Sequence, residues 1–381
     1  MKVLNVNMSL DPVLGGGTVE RTFQMSQYLV QAGIDCTILT TDIGLSSSRL
    51  RELNGVTVIA LPTLNKRFFV PVFSYKYIVS IVKNVDIIHL MGHWSFLNAL
   101  VYIICRRLKI PYVVCSAGLL PIYGRSRLIK YLYNMLVGIN IIKNANGLIA
   151  VTADELPHYN NYGVNSERVT VIPNGINQCD FQSKSDAAFL NKYGLDGIPF
   201  ILFVASLKQI KGPDLLLQAF CNEIEKLRPY HLVFVGPDGG MLSELKSMVK
   251  KHNASGRIHF LGYLGGEEKS KIYYASKILV IPSRQEAMSI VVLEAGITST
   301  PVLLTDQCGF SDIETIKGGK VVPATVEGLQ KGLLDMLSDA DNLIIMGKNL
   351  NRFTCKYFVW ESIIYNYVML YNNILKKCAL E

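Results

Sequence analysis

PSRQEAMSIVVLEA, residues 282–295 of this 381-residue chain, holds two glutamates eight positions apart, Glu286 and Glu294. The apolar run Ile278–Ile281 before it predicts a buried strand, and the apolar run after Met288 predicts a short buried helix. Eight residues of helix span about two turns, or roughly 12 Å of rise. Glu294 falls among apolar helix residues, where a carboxylate is costly without a partner. We therefore expect a polar side chain to meet it.

The order of a short apolar strand followed by a helix recurs through both halves of the chain. Val3–Met8 leads into a predicted helix at Thr18–Ala32, and Phe200–Ala205 leads into a predicted helix that begins near Pro213. Alternation of this kind predicts parallel sheets with right-handed crossovers. The fold class is therefore α/β, with a parallel sheet in each half.

The length of the chain allows two domains with separate hydrophobic cores. The stretch from Asn174 to about Asp196 is polar, and we interpret it as the connection between them. The predicted domains are residues 1–175 and 176–356. The aromatic segment from Tyr357 to Lys377 has the apolar spacing of a helix.

Composition and charge narrow the class of protein. The eight cysteines lie far apart without a Cys-x2-Cys pair, which predicts reduced thiols in a cytosolic protein, with no zinc site and no disulfide framework. No apolar run reaches the roughly 18 residues of a membrane span. The N-terminus is too short and polar for a secretory signal. Through Ile172 there are 16 Lys and Arg against 9 Asp and Glu, which favours an anionic partner for the first half.

Segments in both halves of the chain are candidates for binding an anion. Glu286 is expected at the mouth of the predicted helix, where the backbone N–H groups of about Met288 to Ile290 would point outward and offer an anion site. A ligand with hydroxyl groups at both ends and phosphate in the middle, such as a nucleotide-sugar, suits this arrangement. Together with the family resemblance described below, this predicts a nucleotide-sugar site formed by Gly15, Gly16, Gly17, Lys211, Gly262, Tyr263, Arg284, Glu286, Ala287, Met288, Ser289, Ile290 and Glu294.

The glycine run Gly15–Gly17 follows a predicted strand and precedes a helix, so its backbone can approach a phosphate or a sugar closely. The alternative is a plain tight turn. The run is neither the Gly-x-Gly-x-x-Gly of dinucleotide-binding proteins nor a P-loop.

Three further polar residues have both a functional and a structural interpretation. Lys211 and Arg284 are either phosphate ligands or solvated loop residues. His93 follows a strand at the carboxyl edge of the first sheet, where such folds bind ligands. It is either a catalytic or substrate-contacting residue, or a buried histidine packed beside Trp94.

Two basic segments of the first half contain aromatic residues, Lys66–Phe69 and Tyr123–Tyr131. Cations beside aromatic rings are typical of contact with anionic lipid headgroups, and the alternative is a helix with one solvated basic face. The residues predicted to contact a membrane, or a lipid-linked ligand held there, are Lys66, Arg67, Arg125, Arg127 and Lys130. The positive charge is too sparse to predict nucleic-acid binding.

The motifs together resemble the retaining glycosyltransferases of family 4. Glu286 and Glu294 match the family's Glu-x7-Glu signature, and the other matching segments follow in the family's order: Gly15–Gly17, Ile172–Gly175, Lys211-Gly212, Phe260–Gly262 and Pro301-Val302. The resemblance implies the GT-B fold: two Rossmann-like domains facing across a cleft. It also implies a C-terminal helix, about residues 357–381, that crosses back to the first domain.

The resemblance also implies roles for the residues. Glu294 accepts hydrogen bonds from the ribose hydroxyls, Glu286 holds the transferred sugar, and Lys211 with the helix N-terminus stabilises the leaving diphosphate. The catalytic candidates are Glu286, Lys211 and His93. No metal and no cofactor are expected. Ser206 and Ala117 stand where the family has cations, and Lys208 or Arg284 could take over from Ser206.

The expected function is transfer of a hexose from a UDP-sugar, with a GDP-sugar as the alternative. The expected acceptor is a polyprenyl-diphosphate-linked glycan at the inner face of the cytoplasmic membrane, as in the bacterial enzymes that make O-antigen, capsule or exopolysaccharide. The enzyme would be cytoplasmic and peripheral to the membrane. Two alternatives stay open: a GT-B enzyme that epimerises or hydrolyses a nucleotide-sugar, and a binding subunit with weakened catalysis.

Overall fold

The computed structural model describes residues 1–13, 15–122, 126–310 and 312–380, and it divides into two compact units. The first unit is Met1–Gly175 with Trp360–Glu381, and the second is Ile176–Val359. The sequence prediction placed the same boundary after residue 175 and the return of the chain at about residue 357.

The first unit is built on a seven-stranded sheet. Its strands pair in parallel in the order β3-β2-β1-β6-β7-β8-β9, and β4 with β5 forms a small antiparallel hairpin. The strands are β1 Lys2–Val6, β2 Asp35–Thr41, β3 Thr57–Leu61, β4 Thr63–Asn65, β5 Val70–Pro71, β6 Ile87–Met91, β7 Tyr112–Cys115, β8 Gly147–Ala150 and β9 Val169–Val171. The helices are α1 Gly16–Gln31, α2 Ser47–Glu52, α3 Tyr75–Lys83, α4 Phe96–Leu108, α5 Arg127–Tyr133, α6 Ile139–Lys143 and α7 Leu156–Asn160.

The second unit contains a six-stranded sheet. All its strands pair in parallel, in the order β12-β11-β10-β13-β14-β15. The strands are β10 Phe200–Val204, β11 His231–Val235, β12 Ile258–Gly262, β13 Ile278–Ile281, β14 Val302–Thr305 and β15 Gly319–Val322. The helices are α8 Ala187–Lys192, α9 Pro213–Asn222, α10 Leu242–Lys251, α11 Gly266–Ala275, α12 Ile290–Ile297, α13 Asp312–Thr315, α14 Val326–Leu337 and α15 Ala340–Tyr357.

The last helix, α16, spans Trp360–Cys378 and belongs to the first unit, as predicted. It packs on α1, where the buried Arg21 side chain donates hydrogen bonds to the Tyr367 hydroxyl. Arg21 also donates to the Asn174 side chain and the Ile172 carbonyl, each at 2.8 Å. Helix α1 and the Pro-Asn-Gly turn are thus joined to the C-terminal helix through one guanidinium.

The predicted fold class, α/β with a parallel sheet in each of two domains, is confirmed. The central strands β6 and β10 are buried along their whole length, as expected for parallel sheets covered by helices on both faces. In each sheet the strand order reverses at one place, between β1 and β6 in the first unit and between β10 and β13 in the second. Open parallel sheets bind ligands at the carboxyl ends of such strand pairs.

Three local predictions differ from the structure. Helix α1 begins at Gly16 rather than Thr18, so most of the glycine run is helical. The stretch predicted as a polar connection contains α8. The sequence of Leu128–Ile142 predicts one continuous helix, whereas the structure has a π-helical turn at Asn134–Gly138 between α5 and α6. Among the residues that the structure describes, no helix is both long and apolar enough to cross a bilayer.

Candidate active site

The point of strand reversal in the second unit brings Lys211 and Glu286 together. Lys211 lies on the loop after β10, and Glu286 lies on the loop after the neighbouring β13. The Lys211 Nζ and Glu286 Oε1 atoms are 2.9 Å apart, with side-chain exposures of 28% and 16%. Both groups can therefore contact a ligand while they neutralise each other in its absence. Two residues 75 positions apart in the chain form one charged centre.

Hydrogen bonds hold the loop that carries Glu286. The Ser283 hydroxyl donates to Glu286 Oε2 at 3.0 Å, and the Glu286 backbone N–H donates to the Gln307 carbonyl at 2.9 Å. The Thr305 hydroxyl donates to the Ser283 carbonyl at 2.6 Å. Gly309 has φ +58°, and a Cβ there would lie 1.9 Å from the Ala287 carbonyl oxygen. The loop after β14 therefore supports the Glu286 loop through direct backbone contact.

Glu294 lies in the second turn of α12 and is 4% exposed. The Tyr273 hydroxyl donates to its Oε2 at 2.7 Å, and Lys269 forms an ion pair with its Oε1. The prediction of a polar partner for this carboxylate is confirmed. Burial and the neighbouring Glu294 charge raise the pKa of Tyr273, so the phenol stays a hydrogen-bond donor.

Sequence reasoning missed Lys269 and Tyr273. The two residues stand four apart on α11, so they share one helix face, but nothing local indicates that this face meets α12. A carboxylate has about four lone-pair sites, and these two contacts leave acceptor capacity for further hydroxyl groups.

Helix α12 begins at Ile290, so Glu286 lies in the loop before it, with Ala287 and Met288 between Glu286 and the N-cap residue Ser289. The Ser289 hydroxyl is buried and has no hydrogen-bond partner among the described residues. A buried hydroxyl at a helix N-terminus, where the helix dipole is positive, favours an acceptor of negative charge.

Arg284 is held by partners within the second unit. Its Nη1 and Nη2 atoms bind the Asp214 carboxylate at 2.8 and 2.6 Å, and Nη1 also donates to the Gln209 carbonyl. Asp214, on the first turn of α9, gave no signal in the sequence. The bidentate geometry makes Arg284 a clamp between the loops after β10 and β13.

Gly262 is the last residue of β12, and Tyr263 follows it, at the edge of the sheet. Three strand spacings separate β12 from β13, which is roughly 14 Å. The structure therefore does not bring these two residues beside Glu286. Both are exposed, and Gly262 has φ +73°.

The point of strand reversal in the first unit contains the glycine segment and His93. Gly16 and Gly17 are exposed in the first turn of α1, while Gly15 is its N-cap residue. A Cβ at Gly15 would lie 2.1 Å from the Val19 side chain, so glycine is required there for packing. This contact supports the turn interpretation at Gly15 and leaves Gly16 and Gly17 open to a ligand.

His93 is 1% exposed, inside a box of Trp94, Tyr133 and Tyr162 rings. Burial lowers its pKa to about 4. The Asn134 amide donates to Tyr162, so its oxygen accepts from His93 Nε2 at 3.0 Å and the proton resides on that nitrogen. His93 can contact a substrate only if one of these rings moves, so the geometry favours the structural interpretation.

The segment Ser116–Gly118 after β7 surrounds an acidic side chain that sequence reasoning missed. Glu155 is 3% exposed and accepts from the Gly118 and Val151 backbone N–H groups at 2.6 and 2.7 Å. Ala117 has φ +46°, a conformation in which successive N–H groups converge on an anion. An internal carboxylate thus occupies the Gly118 N–H group of this turn.

The basic residues of the first unit lie on its surface. Lys66 and Arg67 are exposed at the turn between β4 and β5. Arg127 is exposed at the start of α5, and Lys130 is half-buried with its Nζ 5.4 Å from the Trp94 ring centroid. Arg125 lies outside the described residues.

Two family models match the chain in sequence order. The model described as Glycosyltransferase Family 4 matches residues 15–178, and the model described as Glycosyl transferases group 1 matches residues 187–352. The first covers the glycine segment and the Pro-Asn-Gly turn, and the second covers Lys211 and both glutamates. The chain belongs to the GT-B glycosyltransferases of the group 1 and family 4 superfamily.

Individual relatives of this glycosyltransferase differ in how much of their length they share with it. A D-inositol 3-phosphate glycosyltransferase of Corynebacterium urealyticum is 30% identical over 61% of this chain, which is 58% of that relative's own length. An uncharacterized glycosyltransferase of Methanocaldococcus jannaschii is 25% identical over 97% of this chain and 98% of its own.

The solved structure of HepE from Anabaena, in complex with UDP and glucose, superimposes on this glycosyltransferase with a TM-score of 0.80. The superposition covers 98% of this chain and 100% of that one, at 16% sequence identity. At this identity the likeness establishes the fold alone.

Proposed function

We propose that this protein transfers a hexose from a nucleoside diphosphate sugar to a hydroxyl group, with retention of anomeric configuration and without a metal ion. The observation that carries the proposal is the Lys211–Glu286 pair, 2.9 Å apart and partly exposed where the strand order reverses. The UDP bound by HepE supports a UDP-sugar as the donor, with a GDP-sugar as the alternative.

The proposed roles follow from the contacts of each residue. Lys211 and the N-terminus of α12 face the diphosphate, whose negative charge grows as its bond to the anomeric carbon breaks. Glu286, fixed by Ser283, orients hydroxyls of the transferred sugar. The remaining lone pairs of Glu294 accept from the ribose hydroxyls.

The acceptor hydroxyl attacks the anomeric carbon on the face from which the diphosphate departs, so the configuration is kept. The acceptor proton passes to the leaving diphosphate oxygen, which balances the charge. Arg284 acts indirectly here, because its contacts with Asp214 and Gln209 position the loops that carry Lys211 and Glu286.

The proposed acceptor is a polyprenyl-diphosphate-linked glycan of bacterial surface polysaccharide synthesis. The enzyme would act as a peripheral protein on the inner face of the cytoplasmic membrane. The support is the excess of positive charge in the first 172 residues and the exposure of Lys66, Arg67 and Arg127.

A thermal-shift panel with UDP, GDP, CMP, ADP and NAD tests the donor site. A ligand present at 100 times its dissociation constant stabilises the folded state by about 2.7 kcal/mol, which shifts the melting midpoint by several degrees. We expect a shift with one nucleoside diphosphate, its loss in Glu294→Ala, and its retention in Glu244→Ala, which removes an exposed acid on α10 of the same unit.

If none of the five ligands shifts the melting midpoint, or if only NAD does, the transferase proposal is contradicted. A normal nucleotide shift without turnover of any sugar donor would favour a binding subunit instead. Release of free sugar without an acceptor would indicate a hydrolase.

A further inference from the structure

The helical segment 127–143 of the first unit, formed by α5, the π-turn and α6, is apolar on two opposite faces. Its outer face carries large apolar side chains with exposures from 37% to 73%. Their spacing is that of one helical stripe, i, i+4, i+7, i+8 and i+11. The stripe residues are Leu128, Leu132, Met135, Leu136 and Ile139, and we call this set the outer stripe.

The opposite face of the segment packs into the first unit. Tyr133 and Val137 lie against the core, and Ile141 and Ile142 are buried in it. The Tyr133 hydroxyl donates to the His93 and Ser95 carbonyls at 2.8 and 3.1 Å. The segment is therefore anchored, so the outer stripe is a feature of the folded surface.

The stretch of sequence that contains the outer stripe carries charge of nearly one sign. Residues 53–153 contain eleven Lys and Arg and a single acidic residue, Asp86. That carboxylate accepts from the Lys2 backbone N–H at 2.7 Å, on the side of the sheet where β1 begins. Arg127 and Lys143 are exposed at the two ends of the segment, and it contains no Asp or Glu.

We propose that the outer stripe inserts into the headgroup region of an anionic bilayer. A helix with large apolar side chains on one side and cations at its borders binds such a surface by burying its apolar face about 5–10 Å deep. The segment of 17 residues would lie in the plane of the membrane over about 25 Å. Its basic ends would meet the acidic headgroups.

The charge argues against a second copy of this chain as the occupant. A two-fold contact through the outer stripe would bring the cations of both copies together. No acidic residue between positions 87 and 153 is present to pair with them. An anionic lipid surface supplies the opposite charge and the apolar layer together.

Membrane contact through the outer stripe also bears on where the acceptor is bound. This step rests on the proposed function. Asn134, on the π-turn, joins the segment to His93 at the carboxyl end of β6 through its 3.0 Å hydrogen bond. A docked segment would therefore hold the carboxyl edge of the first sheet next to the bilayer, where a lipid-linked acceptor resides.

Vesicle co-sedimentation of the full chain tests the inference. The vesicles are phosphatidylcholine alone or with roughly one third phosphatidylglycerol, at low and at physiological salt. The test variant is Leu132→Gln with Met135→Gln and Leu136→Gln, which keeps helix propensity and removes three stripe residues. The control is Ile344→Gln with Ile345→Gln, which removes two side chains of similar exposure, 57% and 56%, on α15.

We expect the wild type to sediment with anionic vesicles and the triple variant to lose about tenfold or more in partition coefficient. Physiological salt should weaken binding of the wild type without abolishing it, since the apolar contribution is not screened. The α15 variant should bind like the wild type.

Equal vesicle binding by the triple variant and the wild type, or no binding by the wild type, overturns the inference. A wild-type dimer that the triple variant converts to a monomer in light scattering would assign the stripe to a second copy instead. The nucleoside diphosphate shift reports on the second unit and should persist in the triple variant. If that shift is absent from the wild type while vesicle binding holds, the proposed function fails and the membrane contact stands.

Discussion

Single side chains define the candidate site through their long-range partners. Lys211 meets Glu286, Lys269 and Tyr273 meet Glu294, and these partners are 21 to 75 positions apart in sequence. The motif residues are thus neutralised in the unliganded protein. A sugar donor that binds these residues must therefore replace some of their existing contacts with its own.

Lys211→Met tests the charge at the diphosphate position. Loss of one group that stabilises developing negative charge costs about 2.7–4 kcal/mol of activation free energy, so we expect turnover to fall at least about 100-fold. The measurement is release of nucleoside diphosphate from the sugar donor selected by the panel. Lys246→Met, which removes an exposed lysine on α10, should leave the rate within about twofold of the wild type. A Lys211→Met enzyme of wild-type rate would remove this lysine from the mechanism.

The buried histidines predict how the first unit responds to pH. Burial, with the nearby Arg21 charge, lowers the pKa of His89 to about 3, and burial lowers that of His93 to about 4. In the unfolded chain both pKa values return to about 6.5, so between these limits the unfolded state binds more protons. The contribution of the two neutral histidines to the free energy of unfolding is therefore fully present above about pH 6.5. It falls as the pH drops from there toward their folded pKa values, by up to about 1.4 kcal/mol per pH unit for each histidine.

Urea unfolding followed by tryptophan fluorescence measures this dependence selectively, because Trp94 and Trp360 are the only tryptophans and both belong to the first unit. The urea midpoint should fall between about pH 7 and about pH 5. His93→Gln, which removes one of the titrating groups, should reduce the slope. A midpoint that is constant over this range would show that these histidines are protonated in the folded state.

At the scale of helices and strands, the arrangement of the second unit depends on close contacts between the loops that follow its strands at the carboxyl edge of the sheet. Gly309, after β14, lies against the Ala287 carbonyl, and Gly212, before α9, has φ +67° and lies against the Pro282 carbonyl. These approaches leave no room for a Cβ. They align the loops after β10, β13 and β14, and so place Lys211 beside Glu286.

Gly309→Ala should therefore disturb the Glu286 loop. A new Cβ at 1.9 Å from a backbone oxygen forces the loops apart, and overpacking of this kind costs about 1–3 kcal/mol. We expect a melting midpoint several degrees lower and a smaller nucleotide-induced shift. Gly197→Ala is the matched control, because its φ of +69° imposes the same backbone strain while a Cβ there meets nothing within 4 Å. Equal effects of the two variants would refute the role of the close contact.

At the scale of the whole molecule, helix α16 completes the first unit. Helix α16 follows the second unit in sequence, and its buried Trp360, Tyr367 and Tyr371 side chains belong to the first. The Tyr371 hydroxyl contacts His89 Nδ1 at 2.6 Å. The first unit is therefore incomplete until α16 has been synthesised.

Tyr367→Phe tests this closure. It leaves donors of the buried Arg21 guanidinium without their acceptor, which costs about 1–3 kcal/mol. The tryptophan-reported unfolding free energy of the first unit should fall by that amount. Tyr365→Phe, on the same helix but 64% exposed, should stay within about 0.5 kcal/mol of the wild type. Unchanged stability in Tyr367→Phe would mean that water replaces the lost acceptor.

Local pattern in the sequence determined the two parallel α/β sheets, the boundary after residue 175 and the order of the family motifs. Apolar strands and helix periodicity are properties of neighbouring residues, so they survive without tertiary information. The need of Glu294 for a polar partner also followed from its apolar neighbours.

Only the tertiary structure decided which groups meet. Asp214 binds Arg284 from 70 positions away, and Glu155 fills the turn at Ser116–Gly118, because strand order rather than sequence distance sets such contacts. The burial of His93 and the exposure of the outer stripe have the same origin. A helix that is apolar on both faces carries no local sign of which face the core covers, and here the core takes Tyr133 and Val137 and leaves Leu132 and Leu136 outside.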